Sequence, residues 1–527
     1  MAELSRRAML RTFGVGAMGA AALAGYELMG SGGGVKHNSL ASAGLRTARN
    51  GPPVPSTRIR EENARPGSTA WKIGAQHTVS ATDVAMEIKG FASKTSVHVG
   101  DAIDFHVSCN RAQRLRIDVY RFGHYRGFGA RLVTSSPSLV GTTQSAPQLD
   151  AFGTITCAWS PSWTLRVPTS WVSGMHVAVL TSAAGFRSYV PFVVRDDRPA
   201  QLLVVVPFTT YQAYNQFPFN GRLGKSLYYG WSPAFQQGPV LSELAGFTYD
   251  DRARRVSFDR PFAMTGLPKR AQDDQAFAFW AESVGYDMTY STSLDLHAGR
   301  LDLTQYAGVI FSGHDEYWSM PMRQQVTAAV ASGTSLAYLS ANNVYWHVRC
   351  DKPTAAGEIR SMHCYKTDPD PTPDASGPTT QWRLMPHSPS HAEQGLVGVQ
   401  YNGIVAVEVP LVVQRADHWM WKGTGVRNGD QIPRLVGVEA DGFNPKMPSP
   451  AGAKQTLLSA SPFLYRDLVP RQEIQNTSVC EMPNGAVVFA AGTMNWPLAL
   501  GAAGRLDDRV RTATANVFRR ILRPSTP

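Results

Sequence analysis

Tyrosines and one carboxylate are the residues of this chain best suited to chemistry. Tyr211 and Tyr214 lie in TYQAYN (210–215), Tyr228 and Tyr229 in SLYYGW (226–231), and Glu316 in FSGHDEYWS (311–319), two residues after His314. Phenolate and carboxylate oxygens are hard donors. They suit a hard cation such as Fe(III), whose charge holds a tyrosine deprotonated far below its free value of about 10. An oxygen-only metal site is one reading of these residues. Packing or a carbohydrate platform is the plain alternative for the tyrosines, and a solvated loop pair for His314 and Glu316. Two other templates fail: the chain has no Gly-x-Ser-x-Gly elbow, and its five cysteines form no Cys-x-x-Cys pair.

The elements that must position these side chains show in the hydrophobic pattern. His314 to Glu316 follow the apolar run YAGVIF (306–311), and Ser319 with Pro321 is an N-cap signal opening a helix over 320–331. Further apolar strands are expected at 201–207, 287–293, 334–340 and 486–492, with a second helix at 274–284. Fully apolar strands alternating with helices mark a parallel α/β sheet, whose ligands gather at the carboxyl ends of the strands. Three such ends, at 209–215, 313–316 and 340–346, then open at one edge, the last contributing Asn342 and Asn343.

Upstream, short segments such as SVHVGDAIDFHVSC (96–109), LRIDVYRFG (115–123) and GMHVAVLTS (174–182) alternate between Gly, Pro and Ser breaks. HYRGFGAR (124–131) lacks a following helix start and reads as a hairpin loop. The fold class expected is an N-terminal antiparallel β-sandwich (Ig-like) at 70–197, followed by a flavodoxin/glutaminase-like parallel α/β layered domain at 198–527. The Pro-rich stretch 359–479 reads as an elaboration of that second domain.

Before them, Ser5-Arg6-Arg7 precedes an apolar, Gly/Ala-rich stretch at 13–29 and the sequence Ala41-Ser42-Ala43. This is a twin-arginine export pattern, so 1–43 is expected to be a signal peptide and 44–69 a linker. The chain is expected in the periplasm, cell envelope or outside the cell, with no stable membrane span after processing. There, Cys109 with Cys157 and Cys350 with Cys364 are open to bridging. A net charge of +11 on 527 residues comes without a basic, aromatic ladder, which excludes a nucleic-acid partner and leaves an anionic envelope as a suitable surface.

The ordered motifs VVPFTTYQAYNQF (205–217), SLYYGW, SFDRPF (257–262), VIFSGHDEYWS (309–319) and SANNVYW (340–346) together resemble the catalytic domain of the N,N-dimethylformamidase large-subunit family. The resemblance runs from about residue 196 to the C-terminus. The preceding sandwich, with VYRFGHYRGFGARLV (119–133), is similar to the module that accompanies that domain. The resemblance implies a mononuclear Fe(III) held by two tyrosines and a glutamate, and hydrolysis of an amide by metal-activated water. Within the family's motifs Glu316 matches the glutamate, His314 the histidine beside it and Asn342 a nearby asparagine. Tyr214 and Tyr228 are taken as the tyrosines ahead of Tyr211 and Tyr229. His314 would then guide a proton and Asn342 stabilise an oxyanion. A small-molecule amide or an envelope-derived group is the expected substrate, and a small accessory subunit or a homo-oligomer the expected assembly. The alternative is a non-catalytic envelope or carbohydrate-binding protein that retains the α/β fold.

Overall fold

The computed structural model describes residues 56–232, 247–385, 391–466 and 471–522. The leader expected at 1–43 lies outside the described residues, as does the linker up to residue 55. Of the rest of that linker, residues 58–63 form helix α1 (Arg58–Asn63), with Ile59, Glu62 and Asn63 buried. The departure has a physical cause in partners distant in sequence. Asn63 Nδ2 donates to Glu282 at 2.7 Å, and Asn63 Oδ1 accepts from the backbone N–H of His124 at 2.7 Å.

Strands β1 (Ile88–Ala92), β2 (Ala102–Cys109), β3 (Gln113–Phe122), β4 (Ala130–Ser135), β5 (Trp163–Arg166), β6 (Gly174–Ser182) and β7 (Phe186–Arg195) form two sheets, ordered β5-β2-β1 and β7-β6-β3-β4. These neighbours pair antiparallel. Side chains alternate between the faces of a strand. In β6, Ala178 and Leu180 join Phe105 and Val107 in the core between the sheets, while Val177 and Val179 enter a second core with Val204 and Phe277. With both faces covered, β6 has no need of a polar side, which is why its sequence is almost continuously apolar.

The second half is built on strands β8 (Leu202–Val206), β9 (Met288–Thr292), β10 (Gly308–Phe311), β11 (Ser335–Tyr338), β12 (Lys454–Leu457), β13 (Ser478–Glu481) and β14 (Val487–Ala490). Their sheet order is β9-β8-β10-β11-β14-β13-β12. The first five run parallel, and the last two add antiparallel edges. Val204 faces the core shared with the first half, and Leu203 and Val205 the core on the other side. Helix α2 (Phe208–Ala213) follows β8, α3 (Ala271–Val284) precedes β9, and α4 (Met320–Ala331) follows β10 with Ser319 as its N-cap. The closing helix α5 (Asp508–Ile521) is capped by the Asp507 carboxylate. Because β8 lies between β9 and β10, the strand order reverses there, and the carboxyl ends of β8 and β10 are the place where open α/β sheets gather their ligands.

The two halves are joined by a buried ion pair. Arg121 on β3 donates to both oxygens of Glu282 on α3 at 2.8 Å each, and Tyr290 Oη adds a third bond at 3.0 Å. All five cysteines are free thiols. Cys109 and Cys157 pack in separate apolar clusters, and Cys364 Sγ faces the carbonyl of His347, so neither expected pair is bonded. Among the described residues no helix is long and apolar enough to cross a membrane.

Candidate metal centre

Tyr214 and Tyr228 reach Glu316 from two different loops. The Tyr214 hydroxyl donates to Glu316 Oε2 at 2.7 Å, and the Tyr228 hydroxyl to Oε1 at 2.5 Å. The two hydroxyls are 3.1 Å apart, and the rings stack with centroids at 4.6 Å. Local structure fixes this meeting. Tyr214 closes α2, one helical turn after Thr210, whose Oγ1 accepts the backbone N–H of Glu316 at 2.9 Å and of Tyr317 at 3.2 Å. The start of the loop after β10 is thus tied to the helix after β8. Tyr228 is held by the turn at Ser226, whose Oγ accepts its N–H at 3.1 Å, and by a bond from Trp346 Nε1 at 3.3 Å.

His314 stands beside the carboxylate. Its Nδ1 lies 2.9 Å from the Ala341 carbonyl and therefore carries a hydrogen, and its Nε2 lies 3.1 Å from Glu316 Oε2. Burial disfavours the imidazolium, but the bond to Glu316 and the charges of Glu316 and Glu439 outweigh it and hold the pKa up at about 9. Burial would raise Glu316, yet His314, Lys366 and the Tyr228 hydroxyl bring it below the usual carboxylate range. Tyr214 and Tyr228 are held well above the ordinary phenol value, first by burial and then by the charge of Glu316. Both phenols are therefore protonated at neutral pH.

Three further groups complete the site. Lys366 is 1% exposed; its ammonium sits 3.4 Å from the Tyr228 ring centroid and 4.2 Å from that of Trp346, and donates to Tyr317 Oη at 2.5 Å. Burial pushes it down to about 7. Asn342 adopts a left-handed φ of 54°, a conformation Asn tolerates better than most residues. Its backbone N–H donates to Asp441 at 2.7 Å and its Nδ2 to Glu439 Oε2 at 2.9 Å. Glu439 in turn faces His314 Nε2 at 3.9 Å.

The structure therefore brings Tyr214, Tyr228, His314 and Glu316 into direct contact and links Asn342 to them through Glu439. The other two tyrosines have different surroundings. Tyr211 donates to Asp274 Oδ2 at 2.5 Å, and Tyr229 flanks Tyr228 with ring centroids 6.2 Å apart. Lys366, Glu439 and Asp441 were not anticipated. Lys366 stands alone in a loop and Glu439 and Asp441 share one short strand, and no local signal distinguishes any of the three from a surface charge.

The donor set fits a hard cation. Two oxygens bound to one ion at about 2.0–2.1 Å stand roughly 2.9 Å apart in an octahedron, close to the separation of the two tyrosine hydroxyls. Among the described residues no three His, Cys, Asp or Glu side chains gather as a metal cluster, so any such site draws on the tyrosines.

Comparison with known proteins places these residues in context. Residues 116–509 match the family described as N,N-dimethylformamidase beta subunit-like, C-terminal. The chain is 25% identical over 217 residues to the N,N-dimethylformamidase beta subunit of Paracoccus aminophilus, covering 36% of this chain and 28% of that protein. The corresponding subunit of Alcaligenes sp is 26% identical over 224 residues, covering 37% and 29%. The matched stretch thus spans under a third of the length of these curated relatives. A DNA glycosylase structure from Pseudomonas fluorescens aligns at 18% identity over 21% of this chain and 30% of the other, with a TM-score of 0.14, too low to carry any argument.

Proposed function

We propose that this chain, which belongs to the N,N-dimethylformamidase beta subunit-like family, is an exported iron-dependent amidohydrolase that cleaves an amide C–N bond with water. The observation that carries this reading is the meeting of the Tyr214 and Tyr228 hydroxyls on the two oxygens of Glu316. Those three side chains would hold a mononuclear Fe(III), which when bound supplies Lewis acidity toward a carbonyl oxygen and a water molecule. His314, held through Nδ1 by the Ala341 carbonyl, is an imidazolium at neutral pH; it presents its Nε2 proton beside the same carboxylate and would give it to the departing amine. Asn342 has a second amide hydrogen beyond the one given to Glu439, and offers it as a neutral donor to the oxyanion. Buried Tyr317 and Trp346 keep water from the far side of the ligands, which strengthens each of these contacts.

The names of the relatives support a small-molecule amide as substrate and a further subunit as partner, while the twin-arginine pattern around Arg6 and Arg7 supports export and widens the choice to envelope-derived amides. The assignment of an Ig-like sandwich ahead of a flavodoxin/glutaminase-like domain belongs to the same proposal. Metal analysis with a visible spectrum tests it. One iron per chain and a tyrosinate-to-ferric absorption band are expected, both lost in Glu316→Ala. A colourless, metal-free protein after iron supplementation overturns the reading in favour of a non-catalytic envelope or carbohydrate-binding role.

A further inference from the structure

We propose that Asp274, on α3, is the positioning residue that sets the distance between the two segments carrying Tyr214 and Glu316; this rests on the iron-centre reading above. Asp274 is 1% exposed, and each of its oxygens takes a hydroxyl from a different segment. Tyr211 Oη donates to Oδ2 at 2.5 Å, and Ser312 Oγ to Oδ1 at 2.6 Å. Tyr211 precedes Tyr214 by three residues, close to one turn, on α2 and at its end. Ser312 precedes Glu316 by four residues at the end of β10. One carboxylate therefore anchors both ligand-bearing segments just upstream of their ligands.

The residue between Ser312 and His314 supports the same conclusion. A Cβ at Gly313 would overlap the Asp274 carboxylate, whose atoms are its three nearest neighbours. Gly313 is not among the glycines with positive φ, so it is space beside Asp274, rather than backbone conformation, that excludes a side chain. Burial holds the Asp274 carboxyl up at about 7, opposed by the two hydroxyl bonds. A group so costly to bury is retained where two hydroxyls need a common acceptor. Alanine leaves both hydroxyls without one, whereas asparagine keeps a single carbonyl oxygen.

The test uses the full chain with Asp274→Ala, Asp274→Asn, Gly313→Ala and the Asp274→Ala/Gly313→Ala pair. Three quantities are read: iron retained against a competing chelator, the energy of the tyrosinate-to-ferric band, and the unfolding temperature. Folded Asp274→Ala is expected to lose iron at least tenfold more readily than wild type and to shift the band, with Asp274→Asn in between. Gly313→Ala is expected to reproduce the shift, yet to add no further loss once Asp274 is alanine, because the carboxylate it collides with has gone. If Asp274→Ala does not fold, Asp274→Asn and Gly313→Ala carry the same test. Wild-type iron retention and an unmoved band in the folded Asp274 variants overturn the positioning role. A wild-type protein with neither iron nor band overturns the centre itself, and the role with it.

Discussion

His176 is expected to make the core between the two sheets of the first half sensitive to acid. Its ring stacks between Trp171, with centroids 5.3 Å apart and an interplanar angle of 3°, and Phe192, at 5.5 Å and 30°. Its Nδ1 lies 2.9 Å from the Gly174 carbonyl, and its buried Nε2 has no hydrogen-bond partner among the described residues. Burial, helped by the nearby Arg121 charge, pushes the imidazole down to about 3. The unfolded chain binds the proton near 6.5, so the unfolded state takes up more protons between these values. Stability from neutral His176 is therefore present above about pH 6.5 and is lost as pH falls toward 3. At 1.36 kcal/mol per pH unit, the whole effect is on the order of 5 kcal/mol, and about 2 kcal/mol has gone by pH 5. His176→Phe keeps the stack and removes the titration. At pH 7 the variant should lie within about 1 kcal/mol of wild type, since one hydrogen bond is exchanged for apolar contact. Urea midpoints from pH 8 to pH 4.5 should then diverge, with wild type losing stability faster. Every other titrating group is common to both proteins, so parallel curves from pH 7 to pH 5 would refute the argument.

Two other outcomes follow from the geometry. Tyr228→Phe should abolish or strongly shift the ferric absorption band while Tyr229→Phe leaves it in place, because only the Tyr228 hydroxyl bonds to Glu316 Oε1; equal effects on the visible spectrum would remove Tyr228 from the ligand set. Glu282→Ala leaves the Arg121 guanidinium buried without its carboxylate and should cost about 3–5 kcal/mol. Urea unfolding measures this, and a change under about 1 kcal/mol would mean that the pair does not hold the halves together.

What could be read along the chain was whatever depended on near neighbours. The apolar run at 201–207 contains β8 and that at 334–340 contains β11, and Ser319 with Pro321 marks the start of α4 at Met320. Helix α3 begins at Ala271, three residues before the expected start, after Arg270 in the left-handed region. That choice is set by packing and by the Arg270–Asp273 pair, not by a cap signal. At the candidate site, Glu316, His314 and the tyrosines stood in recognisable motifs. Their mutual distances did not, because Tyr214 and Glu316 are 102 residues apart in the chain. Lys366 was illegible for a related reason. Ammonium groups ordinarily stay in water, and this one is buried because the rings of Tyr228, Trp346 and Tyr317 surround it. Glu62 and Asn63 read as linker because Arg131 and Glu282, which satisfy them, lie far along the chain.

The two-faced burial of β6 bears on synthesis. Val177 and Val179 share their core with Val204 and Phe277, and α3 and β9 pack on β3, β6 and β7, so the outer face of the first half has no cover until β9 has been made. An emerging chain with a finished first half would carry a broad apolar surface until those elements follow it. Such a surface is a target for chaperones and a seed for aggregation, and a fragment ending near residue 197 should behave as a sticky intermediate rather than a free-standing module.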